Sequence, residues 1–152
     1  MDELNKALRV AFADTFFMYF KAQACHWNVE GMLFSQYHDF FGKLYEEVYS
    51  AVDPMAEQIR AMGFYAPSNL PELYSDKSVQ EQNNYADGAS STAKIQDMLS
   101  NLAIVNSGVI ASLNEVFRLA LDLNQQGLAD FIAGRIDAHK KHAWMINSSM
   151  KA

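Results

Sequence analysis

The sequence predicts an all-α protein, a bundle of four long helices formed by one domain over residues 1–152. Apolar residues recur at intervals of three and four along four separate segments, which is the spacing of one helix face. The 152 residues, 50% of them hydrophobic, also suit one core, because a chain of this size buries about two thirds of its unfolded surface.

Helix A is predicted from Glu3 to about Val29. Its regular face comprises Leu4, Leu8, Ala11, Thr15, Met18, Ala22, Cys25 and Val29. The segment also carries Phe12, Phe16, Phe17, Tyr19 and Phe20. Its apolar surface is therefore wider than one core-facing stripe requires, and we expect a second buried face against another subunit.

Helix B follows a short turn. Gly31 can adopt the left-handed conformation that ends helix A, and Ser35 is expected to cap helix B with its hydroxyl oxygen. Helix B then runs to about Met62, and Gly63 ends it.

A long crossover is predicted after helix B. The stretch from Phe64 to Gly88 contains Pro67, Pro71 and many Ser, Asn and Asp residues, which favour loops and turns. A short helix is expected near Ser78 to Tyr85.

Helices C and D form the second half of the bundle. Helix C, which ends near Asn124, carries Ile95, Met98, Leu99, Leu102, Val105, Val109, Ile110, Leu113, Val116, Phe117 and Leu121 at helical spacing. Helix D begins around Gln126, with Leu128, Phe131, Ile132, Ile136, His139, Ala143 and Ile146 on one face. Short A–B and C–D turns with a long crossover match the ferritin-like four-helix bundle.

Composition limits the partners. The net charge of −6 argues against tight binding to nucleic acid, which depends on clustered Lys and Arg. The single cysteine, Cys25, cannot form an internal disulfide, and the first residues lack the layout of a signal peptide. Charged or amide residues interrupt every long apolar stretch, so we expect a soluble cytoplasmic protein without a membrane span.

Ferritin-like bundles that bind two metal ions within one chain use Glu-x-x-His pairs. Three residues after the glutamates stand Lys6, Leu33, Tyr49, Ser50, Arg60, Ser75, Asn84 and Arg118, none of which is histidine. An intrachain di-iron site is therefore disfavoured.

Two pairs of ligand-type residues remain: His26 and His38, and Asp53 and Glu57. The 15 residues from His38 to Asp53 span about 22 Å of helix B, so one chain does not easily bring the pairs together. The two positions nevertheless lie only about 60° apart around the helix and can face the same neighbour. Two subunits packed antiparallel about a two-fold axis would form two equivalent intersubunit sites. Such ligands suit Fe(II), with Zn(II) and Mn(II) as competitors.

Three motifs resemble the Dps mini-ferritins, the DNA-binding proteins from starved cells, and the match runs through most of the chain. They are His26-Trp27-Asn28 with His38 twelve residues after the first histidine, Asp53-Pro54-Met55-Ala56-Glu57, and the DAHKKHAWM stretch of residues 137–145.

The resemblance implies an assembly and an activity. His26 and His38 would come from one subunit, and Asp53 and Glu57 from its two-fold mate, forming a ferroxidase centre in a dodecameric shell. The implied chemistry is binding of Fe(II), its oxidation by hydrogen peroxide or dioxygen, and storage of ferric mineral, which limits hydroxyl-radical formation. Trp27 resembles a tryptophan close to the family site, where it could shape the pocket or quench a stray oxidising equivalent.

Two residues depart from the family pattern or strain it. Gly42 stands four residues after His38, where many members place an aspartate, so we expect a weaker or asymmetric second iron position. A mid-helix glycine also costs about 1 kcal/mol relative to alanine, which suggests close helix packing. Pro54 cannot donate a hydrogen bond to the Ser50 carbonyl, so helix B should kink beside Asp53.

Other functions stay open. A DNA-compacting protein is the second class, but only Lys6 and Arg9 lie near the start of helix A, and twelve copies would carry a charge of about −72, which repels phosphates. DNA binding is therefore expected to be weak or absent. A metal-binding structural shell with little ferroxidase activity is the third. His139 and His142 could bind metal, but no carboxylate is clearly opposed to them, so packing is the favoured interpretation.

Overall fold

A computed structural model describes residues 1–80, 82–83 and 87–151. The described residues form helices and no strands, which confirms the all-α class. The helices are α1 (Asp2–Asn28), α2 (Phe34–Tyr49), α3 (Val52–Ala61), α4 (Leu70–Asp76), α5 (Ser91–Asp122) and α6 (Gln126–Ser149).

The bundle consists of two helical hairpins. Helix α1 packs against α2 and α5, and α5 packs against α6. Every residue of the predicted regular face of α1 is buried, including the polar Thr15. The predicted faces of α5 and α6 are mostly buried as well, although Leu121 is half exposed. This arrangement is the ferritin-like bundle with a long crossover between its halves.

Helix α5 corrects one expectation. By length and composition alone it is apolar enough to cross a membrane, whereas the sequence was expected to contain no such segment. The core helix of a soluble bundle meets the same criterion. Since α5 packs its apolar face against α1 and α6, we attribute its composition to core packing.

The predicted helix B is two helices, α2 and α3, rather than one. Helix α2 ends at Tyr49, where Ser50 closes it with a backbone hydrogen bond to Glu46, and α3 begins at Val52. Pro54 is the third residue of α3, and the first-turn amides of a helix have no helical acceptor, so the missing N–H costs little there. The kink predicted beside Asp53 is therefore a break one turn earlier.

The turn before α2 is closed by backbone groups, so the predicted Ser35 cap is wrong. Gly31 has φ of +99°, as expected of a residue that ends a helix. The amide of Phe34 donates to the Gly31 carbonyl at 3.1 Å. Helix α2 thus starts at Phe34, with Leu33 at its N-cap position and no side-chain cap.

The short helix of the crossover was predicted too late in the chain. Helix α4 begins after Asn69, whose side chain accepts a hydrogen bond from the Glu72 amide at 2.9 Å, and Pro71 lies in its first turn. The described residues 78–80 and 82–83 are not helical. Residues 81, 84 and 85 of the predicted helix lie outside the described residues.

Two charged residues of α1 hold the crossover. The fully buried carboxylate of Asp14 accepts hydrogen bonds from the amide and hydroxyl of Ser78, at 2.7 and 2.6 Å, and from the amide of Val79 at 3.0 Å. Arg9 forms salt bridges with Glu72 at 2.6 Å and with Asp76 at 2.7 Å. The crossover is thereby fixed to α1.

Candidate metal centre

Two of the predicted ligands meet where α1 ends and α2 begins. The imidazole rings of His26 and His38 stack with their centroids 3.7 Å apart and their planes 19° apart. Phe34 also stacks on His38 at 4.8 Å, and Tyr45 packs edge-on against His26 at 5.3 Å. The short turn around Gly31 therefore forms the predicted histidine pair within one chain.

The two imidazoles orient each other. The Nδ1–H of His26 donates to the carbonyl of His38 at 2.7 Å, and the Nδ1–H of His38 donates to the carbonyl of His26 at 2.7 Å. A carbonyl only accepts hydrogen bonds, so each Nδ1 carries the proton that makes the bond. In this tautomer Nε2 is the ring nitrogen that carries a lone pair. Backbone carbonyls commonly orient metal-binding histidines in this way.

The close approach of the His26 ring accounts for the glycine at position 42. A Cβ atom at position 42 would lie 3.1 Å from Nδ1 and 3.2 Å from Cε1 of the His26 ring. These distances are tighter than nearly all real Cβ contacts. Glycine therefore lets the ring approach the backbone of α2, and an aspartate could fit there only if His26 moved.

The carboxylate pair occupies a different part of the chain. Asp53 and Glu57 lie four residues apart in α3, and both are exposed. Among the described residues, no group of three or more His, Cys, Asp or Glu side chains is placed to hold a metal ion. The fold thus forms the histidine pair but does not join it to the carboxylates within one chain.

Comparisons with known proteins identify the family to which this fold belongs. A family model described as a ferritin-like domain matches residues 5–151. The chain is 25% identical over 148 residues to DNA protection during starvation protein 2 of Bacillus anthracis, with 97% of this chain and 94% of that protein covered. It matches the crystal structure of Dps from Staphylococcus aureus with a TM-score of 0.87 and 26% identity, over 100% of this chain and 97% of the other. The chain belongs to the ferritin-like family as a Dps mini-ferritin.

The mini-ferritin also shares its fold with a Dps protein of Vibrio cholerae. That protein is described as a member of a broad superfamily of ferritin-like diiron-carboxylate proteins. The TM-score is 0.84 at 21% identity, over 99% of this chain and 90% of the other. At this identity the match supports the fold alone.

Trp27 of this mini-ferritin lies beside the histidine pair in sequence. Its side chain is 58% exposed, and its ring packs edge-on against Phe20 at 6.3 Å. Its predicted influence on the metal site stays a prediction. Cys25, one residue before the first histidine, is buried, and burial raises the pKa of its thiol to about 12.

The sequence interpretation missed a second group of ligand-type side chains inside the bundle. Glu47 of α2 accepts two hydrogen bonds from Arg135, at 2.7 and 2.9 Å, and one from Nε2 of His142 at 2.7 Å. Fully buried His139 donates from Nδ1 to the side-chain oxygen of Asn106 at 2.8 Å. His142 of α6 therefore does have an opposing carboxylate, contrary to expectation. No local pattern in the sequence indicates this contact, because Glu47 and His142 are separated by 95 residues.

The charges of this buried polar cluster, in which only the Glu47 side chain is partly exposed, at 37%, are fixed by its contacts. Hydrogen bonds from His142 and Arg135 hold the pKa of the Glu47 carboxyl far below its usual value, against the opposing effect of burial. Burial, followed by the nearby Arg135 charge, lowers the pKa of His139 to about 3. At neutral pH Glu47 is therefore ionised and His139 is neutral.

Proposed function

We propose that the protein is a ferroxidase and iron-storage subunit. It binds Fe(II) between subunits, oxidises it with hydrogen peroxide or dioxygen, and stores ferric mineral in a dodecameric shell. Two Fe(II) ions together reduce one hydrogen peroxide to two hydroxide ions, so no hydroxyl radical is released. The activity would protect a cytoplasm against oxidative damage.

The orientation of the histidine pair carries this proposal. Both Nδ1 atoms are used by backbone carbonyls, so the Nε2 lone pairs of His26 and His38 remain for iron. No third ligand from the described part of the same chain completes the site. Asp53 and Glu57 of a two-fold mate would supply the carboxylates, giving the mixed imidazole and carboxylate set that suits Fe(II).

Exposed apolar side chains around the pair support an interface at this end of the bundle. Large apolar residues that remain exposed in one chain include Phe20, Trp27, Met32, Leu33 and Phe34. All lie late in α1, in the α1–α2 turn, or at the first residue of α2. A concentration of this kind is typical of surface that a partner covers, and a second copy would bury it.

Mixing of two inactive variants tests the intersubunit site. One variant is His26→Ala with His38→Ala, and the other is Asp53→Asn with Glu57→Gln. Each alone should lose Fe(II) oxidation when hydrogen peroxide is added anaerobically and ferric absorbance is followed. In a mixed dimer one site loses all four ligands and the other keeps them all. Dissociating and reassembling an equal mixture should therefore restore about a quarter of the sites.

The control mixes each variant with itself through the same dissociation and reassembly. Recovery only in the heterologous mixture supports ligands shared between chains. A mixture as inactive as its components would refute the shared site, and full oxidation by either variant alone would refute the ligands themselves. The mass of the native assembly measures the number of subunits.

The charge of the chain argues that protection does not depend on DNA binding. At −6 per chain, a shell repels the phosphate backbone. A gel shift of duplex DNA at low salt should show little retardation. Robust retardation without divalent ions would contradict this part of the proposal.

A further inference from the structure

The buried polar cluster of Glu47, Asn106, Arg135, His139 and His142 has the side chains of a metal site, but it contains an arginine. We propose that the Arg135 guanidinium occupies the position of a metal ion between α2 and α6 and thereby excludes divalent metals from it. Within one chain, the positive charge of Arg135 thus takes the place of a metal ion, and metal binding is left to other parts of the shell. This inference concerns the bundle interior and goes beyond the proposed intersubunit site.

The orientation of His139 is the first argument. Asn106 donates from its amide nitrogen to the His139 carbonyl at 2.9 Å, which directs its amide oxygen to the Nδ1–H of the same residue at 2.8 Å. The imidazole proton is therefore on Nδ1, and the lone pair is on Nε2. Nε2 faces a guanidinium nitrogen of Arg135 at 3.4 Å. An outer acceptor that orients a neutral imidazole is the usual arrangement behind a metal-bound histidine.

The carboxylate faces the same cation. Both oxygens of Glu47 accept hydrogen bonds from Arg135, and the oxygen at 2.9 Å from the guanidinium is also 2.7 Å from Nε2 of His142. Glutamate and two histidines from two helices are the ligand types of di-iron bundles. The Arg135 guanidinium contacts Glu47 and Nε2 of His139, whereas Nε2 of His142 is directed to Glu47. The described residues contain no group of three such side chains placed to hold a metal ion.

The bonding of Arg135 is incomplete for a purely structural ion pair. Its side chain is 11% exposed, and its Nε atom is buried without a hydrogen-bond partner among the described residues. An unpaired buried donor destabilises the folded state. The guanidinium thus contacts the Glu47 carboxylate and Nε2 of His139, while its own Nε–H donor has no partner among the described residues.

A route for metal ions reaches the cluster from the surface. A groove of about 480 Å³ lies between α2 and α6, and Glu47 and His142 form part of its wall. Lys43 and Lys141 also line the groove, where Asp39 is paired with Lys43 at 2.9 Å. The groove thus leads to Glu47 and His142, and the position beside the Glu47 carboxylate is held by the Arg135 guanidinium.

The test counts Co(II) ions bound per chain by Arg135→Ala, using the visible absorbance of bound Co(II). All chains also carry His26→Ala and His38→Ala, so that the proposed ferroxidase centre contributes nothing to the count. We expect the parent to bind no Co(II) in the cluster and Arg135→Ala to bind about one additional ion per chain. Adding Glu47→Gln or His139→Ala to Arg135→Ala should abolish that additional ion.

Arg118→Ala is the matched control. Arg118 forms salt bridges with Glu115 and Asp122 on the exposed surface, so its loss removes the same charge and frees two carboxylates without opening the bundle. Additional Co(II) in this variant, with none in Arg135→Ala, would overturn the proposal.

A second variant covers the case in which Arg135→Ala does not fold. Arg135→Gln removes the charge but keeps a donor for Glu47, and its folding is followed by circular dichroism with and without Co(II). Folding that depends on Co(II), or additional Co(II) in a folded variant, supports a closed metal site. Folded variants that bind no additional Co(II), or variants that no Co(II) concentration folds, would show that the ligands cannot accept a metal. None of these results depends on whether the shell oxidises iron.

Discussion

Replacing Gly42 with alanine has two opposing effects on stability, and both come from the added Cβ atom. In a helix interior alanine is favoured over glycine by about 1 kcal/mol, so the substitution should stabilise α2. The added Cβ, however, would lie 3.1 Å from Nδ1 of His26. The imidazole must therefore retreat by a few tenths of an ångström.

The ring has little freedom to retreat. It is stacked on His38 at 3.7 Å, and its Nδ1–H donates to the His38 carbonyl at 2.7 Å. Weakening that hydrogen bond costs about 0.5–1.5 kcal/mol, which offsets the gain in helix propensity. We therefore expect Gly42→Ala to change the free energy of unfolding by close to zero. Misaligning a ligand histidine should weaken metal binding by about 10–100-fold.

Gly134→Ala provides the reference. Gly134 lies in the interior of α6, and an added Cβ there meets nothing within 4 Å, so it should give the full gain of about 1 kcal/mol. Both variants are unfolded in guanidinium at one fixed protein concentration, because the stability of an oligomer depends on concentration. Metal affinity is measured by anaerobic Fe(II) titration. Equal stabilisation of the two variants, with unchanged Fe(II) affinity of Gly42→Ala, would refute the steric argument.

Three further predictions follow from the described contacts. The pKa of His139 is lowered to about 3 from 6.5, so as pH falls the unfolded chain binds a proton at this histidine before the folded chain does. The contribution of neutral His139 to the free energy of unfolding should therefore be lost as pH falls from 6.5 towards 3, at up to about 1.4 kcal/mol per pH unit. Urea unfolding from pH 7 to 5 should therefore be less pH-dependent in His139→Gln. Pro54→Ala restores an amide that can donate to the Ser50 carbonyl, so it should let α2 and α3 join and shift the carboxylate pair. We expect weaker Fe(II) binding and increased helical circular dichroism. If neither value changes, Pro54 does not cause the break. Cys25 has a pKa of about 12 and should react with a thiol reagent only after unfolding in guanidinium, whereas rapid reaction of the native protein would show that this end of α1 opens.

The regular parts of the fold were predictable because long helices repeat one simple pattern. Spacing of three and four identified the faces of α1, α5 and α6. The break between α2 and α3 was predicted too late in the chain. Pro54 lacks the N–H that would donate to the Ser50 carbonyl, and the helix is interrupted near that acceptor rather than at the proline. The sequence does carry a signal for α4, because Asn69 can cap a helix and Pro71 suits its first turn, but the prediction rested on the later stretch near Ser78 to Tyr85.

The histidine pair was predictable, and the buried polar cluster was not. His26 and His38 flank one short turn, so local sequence brings them together. Glu47 and His142 are separated by 95 residues and lie on helices of different hairpins. No local spacing records such a contact, and a charged residue beside a buried position is usually interpreted as solvated.

The contact of Asp14 with the crossover has a consequence for the order of folding. Each hairpin can form from segments close in sequence, whereas Asp14 holds residues 64 and 65 positions further along the chain. Contacts between residues so far apart in sequence form late in folding, because closing the long loop between them costs conformational entropy. A change at Asp14 should therefore accelerate unfolding more than it slows folding, which would make this carboxylate a determinant of how long an assembled subunit persists.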